Sequence, residues 1–590
     1  MGLKATFSTL SPRIKFRVAV IMTVLVITLF ISTSFEASSD SWSDALKQSK
    51  LKNLLSVYAY GDLNSKDITG TPISEKFSSA EFKNITVESF VGNLDISELT
   101  ISNYDQIKCE DISYKPGPKS NRMISASQPI DLKDDLALVR RELLKSKYKQ
   151  IVTVADEKDM EEGEVVSKRW FRFSGGSVWL ESEKLHMLTS RIVYTSSGYR
   201  DSPTVSFVRI QLFDKYWKEV KGHRIKYVDA SDEDFESKFD DEEEGANEDK
   251  YSLKFPVTLN IPFEYDKENV ALAGPEDPRI IWKDGQYSQE PIVVFNMVSN
   301  KAKGKRAVHA FFPLRKPTKD DNQLVVFSID GKDTKEKEKN WTPFFYHKET
   351  EDSAHSKGAI YFIYELNPLT VIKCSLDYGL CRFKQQNTET AKVEGDLRGG
   401  TPLIPIPPEL QIKTFSSSGL SHGPKNIWIG FAKAHVDACG CAETLYRPSL
   451  LLLVEEGGKF RKELMSNSID LNMDVLSWDL TGPSCSGRAS VLTPNGVSFW
   501  EVIGQYQHGG ETFYTDYLGL TVTEADANVK VVYLKGVLDY ILGMYQTTPV
   551  AEVFLDEDAY KRTKKATECV LKATQKYCSK YSESHKYTNS

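Results

Sequence analysis

"AIYFIYELNPLTVIKCSL", residues 359–376, decides the fold class. It is an apolar run rich in β-branched and aromatic residues, which reads as β-strand. Just beyond, Cys374 and Cys381 flank "SLDYGL", which reads as a hairpin and sets the two thiols facing each other. Working outward, the same signature recurs as "WFRFSGGSVWL", "TVSFVRIQLF", "PIVVFNMVS", "RAVHAFFPL", "NIWIGFAKA", "PSLLLLVEEGGKF" and "RASVLTPNGVSFWEVIGQY". These short runs, broken by Gly, Asp, Asn and Lys turns, fill the chain after Trp170. They predict an all-β sandwich, barrel or propeller, and a region of roughly 400 residues suits repeated blades better than one sandwich. No strict Gly-His…Trp-Asp repeat is present.

At 590 residues the chain exceeds the size of one ordinary core, so two domains or one large repetitive domain are expected. The formal charge of −7 is mild, and the basic residues are interspersed with acids, so a nucleic-acid partner is excluded. Val18 to Phe35 carries no charge over 18 residues, enough to span a bilayer as a helix. Lys4, Arg13, Lys15 and Arg17 precede it; Glu36, Asp40 and Asp44 follow. This asymmetry predicts a cytosolic tail (1–17), a signal anchor (18–35) and a luminal remainder. A cleaved signal peptide is the competing reading, but the run is long for a signal core and no clean small-x-small site follows. The short span points to the Golgi.

Asn84-Ile85-Thr86 and Asn340-Trp341-Thr342 are sequons, of which only the first lies in a plausible loop. Eight cysteines (109, 374, 381, 439, 441, 485, 569 and 578) make an even number for an oxidising compartment. Cys569 and Cys578 are expected to clip the C-terminal tail together. For Cys439 and Cys441, disulfides with distant partners are preferred to a zinc site, because no matching Cys/His pair is near.

Residues 36–130 are polar and weakly periodic, as in a stem and N-terminal extension. In 131–150, Leu132, Leu136, Val139 and Leu143 fall at helical spacing. The acidic stretch 229–250 reads as a solvated loop. Asp232-Glu233-Asp234 and Asp556-Glu557-Asp558 match the Asp-x-Asp spacing of metal-binding sugar-nucleotide transferases, but both sit in charge-rich runs and read as surface. The segment after about 560 looks helical and peripheral.

One short stretch carries candidate chemistry: "ALAGPEDPRII", 271–281. Pro275 and Pro278 hold Glu276 and Asp277 in extended geometry. Alternation would then put Asp277 and Arg279 on one face and Glu276 on the other. Such a segment is either a rigid turn with a local ion pair or a carboxylate held ionised beside a cation, as a general base requires.

Together, "AGPEDPRII", "KNWTPFF", "YELNPLTVIKCSLDYG", "RGGTPLI" and "FAKAHVDACGCAETLYRPSLLLL" resemble the fungal β-1,2-mannosyltransferases, single-pass Golgi proteins that add β-linked mannose to cell-wall mannans. The resemblance covers roughly residues 130–560, with a more distant likeness to β-mannoside phosphorylases that shares the Glu-Asp-Pro-Arg element. It implies a five-bladed β-propeller catalytic domain over 131–560, which leaves the Lys-rich, helical-looking tail as 561–590. It implies GDP-mannose as donor, a mannan or other α-mannoside as acceptor, and no metal or other cofactor. By the same resemblance Asp277 matches the phosphorylases' single catalytic carboxylate, which acts through a hydroxyl of the bound mannose and serves as base in synthesis. Glu276 and Arg279 would orient Asp277 or touch sugar hydroxyls. Arg398, Lys433, His435, Tyr446 and Arg447 would hold the anion, with Glu443 beside them. The competing structural readings are a turn arginine, a satisfied core histidine, and an ion pair of Glu443 with the Tyr446-Arg447 strand start. The Cys-Gly-Cys insertion before "ETLYRP", just after His435, is a departure from typical phosphorylases. Two other functions fit the same residues: a β-mannoside phosphorylase or hydrolase, and an inactive glycan-binding propeller.

Overall fold

The run 359–376 turns at Asn367-Pro368 and forms two antiparallel strands, Ala359–Leu366 and Leu369–Ser375, with Leu366 opposite Leu369. The second turns through the predicted hairpin into Leu380–Gln386, and Cys374 lies opposite Cys381, its disulfide partner. The structure is a computed structural model that describes residues 72–73, 81–92, 106–230, 250–265, 272–318, 323–406, 425–547 and 559–585. The predicted anchor Val18–Phe35, both Asp-x-Asp triplets and nearly all of the acidic stretch 229–250 lie outside these residues. Among the described residues no helix is long and apolar enough to cross a membrane.

The chain divides into two units. One comprises Met1–Ser65 and Ile503–Thr515, and its described part is the end of a hairpin in which Gln507 Nε2 donates to Thr512 Oγ1 at 2.8 Å. The other, Lys66–Val502 with Asp516–Ser590, is mostly β-strand. Its strands follow one another as antiparallel meanders. Trp170–Leu180, Leu185–Tyr194, Val205–Phe213 and Val257–Thr258 make the first. Glu276–Asp284, Gln289–Ser299, Lys305–Phe311 and Leu324–Val326 make the second. The third is Thr342–Phe344 followed by the three strands already named, with Ser328–Ile329 added in parallel at its outer edge. The remaining large sheet joins two more meanders. Asp396–Arg398, Lys425–Asp437, Thr444–Glu456 and Lys459–Ser466 form one; Ala489–His508, Glu511–Glu524 and Lys530–Lys535 form the other. They meet where Thr444–Tyr446 pairs in parallel with Ala489–Val491.

Why the strands read as continuous apolar runs follows from how the meanders stack. Neighbouring residues of one strand point to opposite faces, and here both faces are covered. In the second meander Ile280, Val293 and Phe295 pack with Val178, Met187 and Ile210 of the first. Their neighbours Ile281, Ile292 and Val294 pack with Ile360, Phe362 and Ile372 of the third. On its other side the third sends Tyr361, Ile363 and Val371 against Trp428, Leu451 and Leu453 of the fourth.

Three expectations change. Within the predicted stem, Phe82–Asn84, Ser89–Val91, Ser113–Tyr114 and Ser125–Ser127 pair into the large sheet, so these residues belong to the fold. The C-terminal segment is helical, Ala559–Ser584, yet not peripheral: Ala566, Cys569, Val570 and Leu571 are buried in the core of the fourth meander. Cys569 and Cys578 lie on that one helix and bond elsewhere, to Cys109 and Cys439, while Cys441 bonds Cys485. The preference for distant partners at Cys439 and Cys441 therefore holds. The predicted helix in 131–150 forms over Leu136–Leu144, burying Val139 and Leu143; Asp135 caps it by accepting from the Leu138 N–H at 2.9 Å.

Candidate active site

The Glu276–Asp284 strand does not begin in regular extended geometry. A bulge separates Glu276 from Arg279, and Asp277 takes φ of 52°. The alternation expected for Glu276, Asp277 and Arg279 therefore fails: Glu276 and Asp277 both turn to the same cation. Arg191 donates from Nη2 to Glu276 at 3.0 Å and from Nη1 to Asp277 at 3.2 Å. The bulge is locked from several sides. Gly274, at φ of 85°, passes so close to the Ser206 carbonyl that a Cβ would meet it at 2.1 Å. The Ser206 hydroxyl donates to the Pro275 carbonyl at 2.5 Å, and Asn296 Nδ2 donates to the Glu276 carbonyl at 3.2 Å. Glu276 also pairs with Arg306, and its side chain is only 12 % exposed. Asp277 keeps 37 % of its side chain open, toward a cavity of about 360 Å³.

The first strand of each meander, or the residue leading into it, supplies the wall of that cavity. Phe173 and Ser174 come from the first, Asp277 and Arg279 from the second, and Asn340 precedes the third. Arg398 comes from the fourth and Asn495 from the fifth. Lys433 lies opposite Arg398 in the sheet and donates to Asn340 Oδ1 at 3.0 Å. Arg398 donates to the Tyr446 hydroxyl at 2.7 Å and pairs with Asp396 at 3.3 Å. Arg279 donates to the carbonyls of Trp341 and Gly399, both at 2.8 Å, so it is fixed by backbone and acts on Asp277 through its field.

Charge within the cavity is unevenly shared. Burial opposes ionisation of Asp277, but Arg191, Lys433, Arg279 and Lys339 outweigh it and hold the carboxyl below its ordinary range. Burial, joined by repulsion from Arg279, Arg398 and Lys339, pushes the Lys433 ammonium down to about 7. A second carboxylate on the wall, Asp526, is raised to about 6 by burial and by the nearby Asp277 charge. One carboxylate is thus kept ionised beside a group of cations, and a second is poised to titrate near neutrality.

Of the residues expected at a site, Asp277, Arg279, Arg398, Lys433 and Tyr446 line the cavity. Glu276 stands behind the wall and braces Arg191 and Arg306. His435 shares a face with Lys433 but is 7 % exposed; its Nε2 lies 2.8 Å from the Thr444 hydroxyl and 3.0 Å from Asp437. Burial, with the Arg398 charge, holds its pKa down. Glu443 is exposed in the turn before its strand and off the cavity wall. Arg447 follows Tyr446 and so points to the opposite face. There it is fully buried, hydrogen-bonded to Ser490 and lying against the rings of Tyr577 and Tyr581 on the C-terminal helix. It serves packing of that helix rather than the cavity. The sequon residue Asn340 is itself on the cavity wall, whereas Asn84 is exposed in a short strand.

Sequence reasoning missed Arg191, Asp526, Lys339, Asp201, Trp478 and Arg488. A signal existed for Arg191: a lone cation within "LHMLTSRIVY", a strand buried along its whole length, demands a buried carboxylate partner. Asp526 sits in the turn after Glu511–Glu524 and gave no such signal.

Comparison with known proteins follows from this geometry. A family profile described as Beta-mannosyltransferases (BMT) matches residues 108–310 and 302–577. Beta-mannosyltransferase 1 of Komagataella phaffii is 32 % identical over 529 residues, covering 88 % of this chain and 74 % of that protein. Beta-mannosyltransferase 4 of the same yeast is 31 % identical, covering 82 % of this chain and 83 % of its own. Beta-mannosyltransferase 3 of Candida albicans is 27 % identical, covering 89 % and 88 %. Among solved structures, the β-1,2-mannobiose phosphorylase of Listeria innocua aligns with 67 % of this chain and 97 % of its own, at 14 % identity and a TM-score of 0.32.

Proposed function

The chain belongs to the β-mannosyltransferase family, and from that premise we propose an inverting enzyme that moves mannose from GDP-mannose to an α-mannoside of cell-wall mannan, forming a β-1,2 linkage. Asp277 is its base. The observation that carries this reading is a single carboxylate held ionised by Arg191 and open to a cavity whose other ionic groups are chiefly cations.

The chemistry needs little more. The donor is α-linked, so one in-line displacement gives the β-anomer. An acceptor hydroxyl oxygen bonds to the anomeric carbon while its proton passes to the Asp277 carboxylate. The bond from that carbon to the diphosphate breaks, and the electron pair leaves on the phosphate oxygen. A diphosphate needs no proton to depart, so the paired carboxylates of a glycosidase are unnecessary. It does need positive charge where negative charge develops. Arg398, Lys433 and Lys339 supply that charge, and Asn340 orients Lys433. The reading calls for no metal.

We read the five consecutive meanders as blades of a five-bladed propeller, with the cavity at its axis. The support is that the first strands of four meanders, and Asn340 just ahead of that of the third, line that cavity. The apolar run Val18–Phe35 completes the proposal as a signal anchor that places the enzyme, type II, in the Golgi membrane. The test is incubation of purified protein with GDP-mannose and an α-mannan oligosaccharide in excess EDTA. Transfer that withstands EDTA supports the reading; transfer that appears only on adding back a divalent cation overturns the metal-free mechanism.

A further inference from the structure

The cavity wall has two distinct stretches. One carries Arg279, Arg398, Lys339 and Lys433 beside Asn340, to which Lys433 donates. The other carries Asp201, Asp526 and Trp478, with Arg200 lying against the indole from behind the wall. The first suits a diphosphate. The second combines an aromatic ring with carboxylates, which matches a pyranose: an apolar C–H face edged by hydroxyl donors.

Trp478 comes from one segment, residues 467–488, which links Lys459–Ser466 to Ala489–His508. The Cys441–Cys485 disulfide ties the end of the segment to the turn between Lys425–Asp437 and Thr444–Glu456. Cys485 N–H also donates to the His585 carbonyl at 3.0 Å, and the Leu476 N–H donates to Glu524 at 3.2 Å. Gly487, at φ of 78°, makes the tight return; a Cβ there would meet the Asp479 carboxylate at 2.6 Å. The ring itself is held in place: the Arg200 guanidinium lies 4.6 Å from the Trp478 ring centroid and donates to the Trp478 carbonyl at 2.5 Å. Trp478 and the Asp201–Arg488 pair, 3.2 Å apart and solvent-exposed, both belong to the cavity wall. An indole held in advance by Arg200 on an anchored segment stacks on a ligand with little loss of side-chain freedom.

We infer that Trp478 is the platform on which the acceptor sugar stacks, and that the disulfide-anchored segment carrying it determines acceptor specificity. The inference rests on the transfer reaction proposed above and assigns its acceptor subsite.

The test measures KM for α-linked mannotriose and for GDP-mannose separately, in wild type and in Trp478→Ala, Trp478→Leu and Trp478→Phe. Losing the indole face in Trp478→Ala is expected to raise acceptor KM about tenfold. Donor KM, and kcat at saturating acceptor, should stay within about twofold, because a platform contributes equally to ground and transition states. Trp478→Phe, which keeps an aromatic face, should recover most of the affinity. Trp478→Leu keeps apolar bulk beneath Arg200 and is read in the same way if the alanine variant does not fold. An unchanged acceptor KM, or donor and acceptor KM rising together, overturns the inference. Should the wild type transfer no mannose, the proposed function fails instead. The platform is then judged by saturation-transfer NMR with mannotriose: a signal lost in Trp478→Ala and kept in Trp478→Phe supports it, and one unaffected by the alanine overturns it.

Discussion

Asp277→Asn keeps the volume and one hydrogen-bonding oxygen of the side chain and removes its charge. Arg191 loses the charge of its partner at 3.2 Å but keeps Glu276 at 3.0 Å, and Glu276 still has Arg306. Because the Asp277 side chain is 37 % exposed, its ion pair is screened, and the stability loss should be within about 1 kcal/mol. The chemical loss is far larger. A positioned base contributes about 10² to 10⁴ in rate, or roughly 3 to 5 kcal/mol of barrier at 1.36 kcal/mol per decade. The expected result is therefore a folded protein with a near-wild-type melting temperature, near-wild-type GDP-mannose affinity, and kcat down at least a hundredfold. Initial-rate transfer assays, paired with thermal unfolding, read both numbers. A folded Asp277→Asn enzyme that keeps more than a tenth of wild-type kcat would refute the assignment. It would shift suspicion to Asp526, which titrates near 6 and shares the cavity.

Other perturbations probe the frame around the base. Arg191→Met leaves Glu276 with Arg306 alone and strips Asp277 of its nearest cation; it should destabilise the fold by about 3 to 5 kcal/mol, read as a lower denaturant midpoint, and a stable variant would show that Arg191 is dispensable. Lys433, lowered to about 7, is charged below that pH and neutral above it, so GDP-mannose affinity of the free enzyme should weaken above pH 7 by up to about tenfold per unit. Lys433→Arg, charged throughout, should flatten that limb of the pH profile; a limb that persists in this variant assigns it to another group. The same lowered pKa means that the unfolded chain binds this proton more readily between about pH 7 and 10, so this group's contribution to stability grows as pH rises through that window. Removing the Cys109–Cys569 bond, which closes a span of 460 residues, by Cys109→Ser with Cys569→Ser should cost about 2 to 5 kcal/mol of stability while leaving acceptor KM unchanged in the surviving folded enzyme.

Much of the fold was legible because its information is local. The β-rich character of 359–376 and the Cys374–Cys381 hairpin follow from residue types, turn residues and spacing within a few positions, whereas the turn at Asn367-Pro368 that splits the run emerges in the fold. Cys109 and Cys569 could not be paired from sequence, since nothing local relates residues 460 apart; Cys569 and Cys578 instead looked like a clip only because they are near in sequence. Within the site, the resemblance placed Lys433 and Tyr446 correctly on the wall, both on regular strand, while alternation failed at Asp277, where the bulge rotates one residue out of phase. Arg447 was misplaced for a related reason. It shares a motif with Tyr446, but a strand cannot turn both side chains to one face, and the buried C-terminal helix claims the arginine. Asp526 and Trp478 sit in connections whose sequences carry no periodicity, so only the folded chain brings them to Asp277.

The central claim is that one ionised carboxylate drives a single displacement on an α-linked donor. The anomeric configuration of the first product, read by NMR directly after transfer from GDP-mannose to an α-mannan oligosaccharide, tests it most directly. The account predicts exclusively β-linked mannose from the first turnover. An α-linked first product would require retention, and one carboxylate acting once as a base could not provide it.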